Sequence, residues 1–392
     1  MNDRLSLANV LPVDHARAVL VGRIYMAAFD GPVLVRVQAD GVYDLSAVAA
    51  TSSQLVNLDN PVASIRAAGT LPRLADLEVV LANSAHDARD PKLPWFLAPC
   101  DLQALKASGV TFVASTLERV IEEQARGDPA KALSVRREIV AVIGDNLSQV
   151  RPGSPEAEQI KQTLIRQGAW SQYLEVGIGP DAEIFTKSQP MSAVGLGAEV
   201  GIHPKSEWNN PEPEIVLAAS AKGRTVGASL GNDVNLRDFE GRSALLLGKA
   251  KDNNASCSIG PFIRLFDEHY SIDDVRRCDI AMRVEGLEGF EMDGSSSMAM
   301  ISRDPLDLVG QAIGSNHQYP DGLMLYLGTM FAPTKDRLGP GKGFTHVVGD
   351  IVTVATPTLG ALVNRVNHTD QIPPWTFGAS ALMQSLARRH LL

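Results

Sequence analysis

Cysteine is scarce: Cys100, Cys257 and Cys278 are far apart, and no CxxC pair occurs. That rules out a disulfide-built scaffold and fits reduced thiols in cytoplasm. Positive charge is also in deficit, with 36 Lys and Arg against 45 Asp and Glu and a net charge of −9. This balance argues against nucleic acid or an anionic membrane as partner. No apolar run approaches the length needed to span a bilayer. The opening stretch MNDRLSLANVLPVDHARAVL is polar, broken by proline and without a secretory core. The glycine-rich piece GLGAEVG (195–201) lacks the strand–turn–helix frame of a dinucleotide loop, and no G-x-S-x-G elbow accompanies a Ser/His pair.

What is there is globular. The 392 residues are 45% hydrophobic and 21% charged, enough for two domains or one large domain with an appendage. The expected division is residues 1–170, an α/β region, and residues 171–392. In the first, ARAVLVGRIYM and GPVLVRVQADGVYDLS read as strands turned at Asp30-Gly31 and Asp40-Gly41, followed by a short helix in SAVAATSSQLVN. Three helices then follow, with Thr116, Asp128 and Ser154 as expected caps. In the second part, EIFTK (183–187), CDIAMRVEG (278–286) and THVVGDIVTVAT (345–356) read as strands, and DPLDLVGQAIG (304–314) as a helix. The local hairpins favour an α+β fold with a mixed, mostly antiparallel sheet over a doubly wound parallel one.

The most informative stretch runs from Glu207 to Pro261. Two apolar runs, EIVLAAS and RTVGASL, flank Lys222-Gly223, where glycine suits a two-residue turn. Pairing across that turn sets residue 212 opposite 233. Residues two apart on a strand share a face, as do opposed residues, so Glu212, Glu214 and Asp233 converge. Three carboxylates together repel one another unless protons or a cation neutralise them. An all-oxygen set without His or Cys favours Mg²⁺, with Mn²⁺ or Ca²⁺ as substitutes.

Four motifs stand in order: Glu212-x-Glu214, GNDVNLRD (231–238), KDNNASCSIGP (251–261) and VATPTLG (354–360). Together they resemble the fumarylacetoacetate hydrolase superfamily over roughly residues 180–370. EIFTK, WNNPEPE, SSSMAMISRDP and NHQYPDG are most similar to its 2-keto-3-deoxy-pentonate (D-xylonate or D-arabinonate) dehydratases. The resemblance implies a β-roll catalytic domain, a homodimer or dimer of dimers, a 2-oxo sugar acid substrate, and a Mg²⁺ site on Glu212, Glu214 and Asp233. By position it also implies Lys251 as the active-site lysine, its pKa lowered by neighbouring positive charge, and Glu183 as general base. Lys187, Thr356, His317 and Ser296 are implied to touch substrate. Arg237 and Asp238 read as structural charges. The implied reaction is dehydration to 2-oxoglutarate semialdehyde. Its competitor is hydrolysis of a C–C bond in an acylpyruvate or 2,4-diketo acid. That reaction draws on a His/Glu pair in an N-terminal lid, and in TFVASTLE (111–118) Ser115 stands where the His would fall.

Overall fold

A computed structural model describes the chain apart from residues 127, 129, 133–135, 137–149, 167, 169 and 332. The helix expected from Asp128 onward lies mostly outside the described residues.

The described strands, in chain order, are β1 (Leu20–Met26), β2 (Gly31–Gln38), β3 (Gly41–Asp44), β4 (Arg73–Ala75), β5 (Trp95–Leu97), β6 (Ala104–Ser108), β7 (Ile184–Ser188), β8 (Glu199–Ile202) and β9 (Asn209–Asn210). They continue with β10 (Pro213–Ala219), β11 (Thr225–Asp233), β12 (Asn235–Leu236), β13 (Cys257–Leu265), β14 (Asp279–Glu285), β15 (Glu291–Ser297), β16 (Leu323–Tyr326), β17 (Ile351–Thr356) and β18 (Gly360–His368). Eleven form one large sheet in the order β4-β3-β2-β1-β13-β11-β10-β16-β6-β7, with β5 beside β1. Five form a smaller sheet, β15-β14-β17-β18-β8. Only the β16–β6 and β18–β8 pairings are parallel among the named strands, so the fold is mixed α/β with antiparallel pairing dominant. The large sheet draws strands from both residues 20–108 and residues 184–326.

The middle of that sheet is covered on both faces. Ile215, Leu217, Ala228 and Leu230 pack toward Met282, Val284, Val352 and Val354 of the smaller sheet. Val216, Ala218, Ile259 and Met324 face a second apolar layer with Val21, Leu55 and Ile65. A strand buried on both faces needs no alternation, which is why β10 and β13 read as nearly continuous apolar runs. Charged residues at the ends of these strands are therefore in dry surroundings.

The hairpin reaches the expected pairing by an unexpected route. Ser220 N–H donates to Arg224 O, so three residues, not two, form the loop, and Gly223 takes φ +74°. Ala219 then pairs with Thr225, and a bulge shifts the register before Ala218 pairs with Gly227. The longer loop and the bulge offset each other by one residue. Pro213 therefore pairs with Asn232, and Asp233 N–H donates to Glu212 O, as the simple hairpin predicts.

Thr116 does not cap its helix. That helix spans Val113–Ala125, and the Thr116 hydroxyl donates to Val110 O and Phe112 O instead. Ser154 does cap, accepting from Ala157 N–H ahead of the helix Pro155–Arg166. Of THVVGDIVTVAT, only Ile351–Thr356 is strand.

Candidate metal centre and active site

β10 and β11 deliver the three acids from one end of the hairpin. Glu212, Glu214 and Asp233 are all buried, and each offers a carboxylate oxygen within 4.8 Å of the others. Each acid is held differently. Glu212 accepts from Lys251 Nζ at 2.6 Å and from Arg119 Nη2. Asp233 accepts from Lys251 Nζ at 2.9 Å and lies 2.8 Å from Lys187 Nζ. Glu214 accepts from Gly328 N–H at 2.7 Å and Thr329 Oγ1 at 3.3 Å. Among the described residues no Lys or Arg forms an ion pair with Glu214.

Electrostatics follows from those partners. Burial pushes the Glu212 carboxyl up, but Arg119 and Lys251 outweigh it and hold the group at about 2. Burial together with Asp233 and Glu212 drives Glu214 well above the ordinary carboxylate range. The triad thus keeps one carboxyl that lacks a positive partner. An all-oxygen, buried set with uncompensated charge fits a hard divalent cation.

Lys251 closes the helix Leu247–Lys251 and is buried. Its pKa departs from the sequence expectation. Burial lowers it, but Asp233, Glu212 and Glu240 outweigh burial and raise it. It is a fixed ammonium bridging two of the three acids.

The β6–β7 register shifts between Leu105 and Lys106, which leaves Lys187 as the extra residue of a bulge. Bulges re-aim side chains. Here Nζ points inward, 2.6 Å from Lys251 O, 3.2 Å from Val234 O and 2.8 Å from Asp233 Oδ1. Its hydrogen bonds go to the two carbonyls and, at 3.5 Å, to Ser256 Oγ, while Asp233 Oδ1 faces it as an ion pair. Lys187 is fully buried and braces Asp233.

Glu183 stands just before β7, opposite Gly109, whose N–H donates to Glu183 O at 3.0 Å. Burial is the main cause that pushes its carboxyl up to about 7, reinforced by Glu240 and opposed by Arg119 and Lys251. A carboxyl poised there can both take and return a proton.

Three expected substrate contacts are not among the partners of the triad. Thr356 lies at the end of β17 in the smaller sheet, where its hydroxyl is 3.1 Å from Cys278 Sγ. Ser296 is on β15, the edge strand of that sheet, opposite Ile280. His317 is in the exposed loop before β16, and Leu323 pairs with Ala219 at the turn end of β10. Seven residues separate Ala219 from Glu212, roughly 23 Å of strand. Motif likeness could not tell which sheet or which strand end each residue joins.

The threonine at the triad is Thr329. β16 pairs Tyr326 with Val216, so continuing that register places Gly328 beside Glu214. The apolar run LMLYLGT carried this signal. Arg119, on the helix Val113–Ala125, was also not anticipated. It binds Glu212, Glu122 at 2.7 Å and Glu240 at 2.9 Å. Arg237 holds Glu122 at 2.6 Å and Glu118 at 3.0 Å, with its guanidinium 4.3 Å from the Trp208 ring centre.

No protein-family model matches the chain. Over 192 residues it is 31% identical to the 2-dehydro-3-deoxy-D-arabinonate dehydratase of Saccharolobus solfataricus, covering 48% of this chain and 60% of that protein. Over 194 residues it is 29% identical to a probable 2-keto-3-deoxyxylonate dehydratase of Haloferax volcanii, covering 50% and 63%. The chain thus spans about three fifths of the length of these curated relatives. The resemblance read from the motifs is to the same group of enzymes. Among solved structures, the apo form of a 2-keto-3-deoxy-D-arabinonate dehydratase superposes with a TM-score of 0.59 at 18% identity, covering 89% of this chain and 99% of that one. The same enzyme complexed with magnesium and 2,5-dioxopentanoate gives 0.56 at 17%, with 89% and 99% covered. A fumarylacetoacetate hydrolase from psychrophilic Exiguobacterium antarcticum gives 0.53 at 15%, with 90% and 100% covered. These structural likenesses show the fold.

Proposed function

We propose that the protein is a Mg²⁺-dependent hydro-lyase that dehydrates a 2-keto-3-deoxy pentonate to 2-oxoglutarate semialdehyde. The observation that carries this reading is the buried triad, three carboxylates within 4.8 Å of one another with Glu214 uncompensated. The similarity to the two curated dehydratases supports the substrate class.

Glu212, Glu214 and Asp233 would hold the cation, which supplies the positive charge that draws electron density from the C2 carbonyl of a bound 2-oxo acid. Glu183 takes the C3 proton and returns it to the departing C4 hydroxyl, which leaves as water. Tautomerisation of the resulting C3=C4 alkene, a proton passing from C5 to C3, gives the semialdehyde. Its carboxyl at about 7 suits both halves of that transfer near neutral pH. Lys251, fixed between Glu212 and Asp233, adds a second positive charge where oxygen gains electron density. Lys187 and Thr329 keep the acids in place. We place the catalytic machinery in a β-roll of the fumarylacetoacetate hydrolase type, acting on a small 2-oxo acid in a homodimer or dimer of dimers.

The test is incubation with D- and L-2-keto-3-deoxypentonates and Mg²⁺, with and without chelator. Semialdehyde formed only with the cation is the expected result. Pyruvate as product would overturn dehydration in favour of C–C cleavage.

A further inference from the structure

We infer that Gly109 is a positioning residue for Glu183: its missing side chain is the space the Glu183 carboxyl occupies. The inference rests on Glu183 being the proton-transfer group proposed above. A Cβ placed on Gly109 would stand 1.9 Å from Glu183 Oε2, 2.6 Å from Cδ and 3.3 Å from Cγ. No atom pair of that kind survives at the first two distances. The backbone at 109 is not in the left-handed region, where glycine is favoured for its own sake, since the described left-handed glycines do not include it. What excludes a side chain is therefore the carboxyl itself.

Local structure explains how the two meet. Gly109 follows β6 directly and Glu183 precedes β7, and the Ser108–Ile184 pairing sets them opposite each other. The Gly109 N–H to Glu183 O bond of 3.0 Å fixes the two backbones together. With the backbone clamped, only rotation about the side-chain bonds of Glu183 can relieve a clash. The displaced atoms are the far end of a flexible side chain, so a methyl at 109 costs the fold little. It costs the carboxyl its place. Charged groups around that place are Glu240, Arg119, Lys251 and Glu212. A shift of about 1 Å in a reacting group is worth about a hundredfold in rate.

The experiment compares Gly109→Ala, Glu183→Asp and the double variant, with Gly310→Ala as control. Gly310 lies in the helix Pro305–Ala312 with nothing near its added methyl, so that control should match wild type. Gly109→Ala should lower kcat about a hundredfold, with KM and Mg²⁺ affinity by calorimetry changed less than threefold. The aspartate carboxyl, one methylene shorter, puts its carbon where Glu183 Cγ stands, 3.3 Å from the added methyl, and can turn its oxygens aside. In the Glu183→Asp background the added methyl should therefore cost less than threefold. An equal loss in both backgrounds, or an undiminished kcat in Gly109→Ala, would overturn the inference. A carboxyl-labelled NMR titration of Glu183 separates this from the function itself. If Gly109→Ala moves that titration from near 7 toward ordinary values while Glu183→Gln retains turnover, the positioning stands and the base assignment falls. If the titration does not move, the positioning falls.

Discussion

Two clusters of buried carboxylates lie side by side and are balanced in opposite ways. Glu118, Glu122 and Glu240 are each met by arginine: Arg136 and Arg237 for Glu118, Arg119 and Arg237 for Glu122, Arg119 for Glu240. The triad of Glu212, Glu214 and Asp233 has Arg119, Lys251 and Lys187, yet all three of these cations leave Glu214 aside. Guanidinium ion pairs make the first cluster a strut between the helix Val113–Ala125 and the short helix Arg237–Glu240, although burial still pushes the Glu240 carboxyl up. In the second cluster burial, Asp233 and Glu212 hold the Glu214 carboxyl well above the ordinary carboxylate range. Paired carboxyls build structure, and an unpaired one beside two others marks a place for a cation. Arg119 belongs to both clusters and ties the strut to the site.

The largest effect that sharpens this contrast should come from Glu214→Gln. It removes the ligand charge without removing the shape, so turnover should fall on the order of a thousandfold while calorimetry shows Mg²⁺ affinity lost. Retained tight Mg²⁺ binding would erase the difference between the clusters. Glu183→Gln should cost about a hundredfold or more in kcat and spare Mg²⁺ binding. Because the acting form of Glu183 is the carboxylate, wild-type kcat should fall as pH drops through about 7. A native pKa above the unfolded one means that ionisation of this group opposes folding, and the penalty grows as pH rises from the ordinary carboxylate range through 7. Chemical denaturation at pH 8 should accordingly find Glu183→Gln no less stable than wild type.

Next comes Arg237→Met in the arginine-balanced cluster. It leaves Glu118 and Glu122 short of a partner in dry surroundings, and denaturant midpoints should report about 3 kcal/mol of lost stability. If stability holds and only Mg²⁺ affinity falls, the strut and the site are one unit. The smallest effect separates the two threonines. Thr329→Val removes a donor to a ligand carboxylate and should weaken Mg²⁺ binding about tenfold, whereas Thr356→Val should leave binding and kcat unchanged.

Much of the site was legible in advance because strand pairing is arithmetic. Glu212, Glu214 and Asp233 lie within one hairpin, and a two-residue period decides which side chains share a face. Even there the reasoning succeeded through compensation, since a three-residue loop and a bulge cancelled. Lys187 shows the same weakness without the cancellation: a one-residue bulge in β7 aims it at Asp233, which the strand's two-residue period does not foresee.

The sequence by itself determined the mixed, largely antiparallel texture, the triad, and the acid and lysine beside it, because each depends on residues close in the chain or on a succession of motifs. Tertiary structure alone decided which threonine meets Glu214, that Arg119 reaches Glu212 from 93 positions away, and that Gly109 makes room for Glu183. Those contacts depend on how β16, β6 and a distant helix register against the hairpin. Local periodicity carries no information about the register between strands that are remote in sequence.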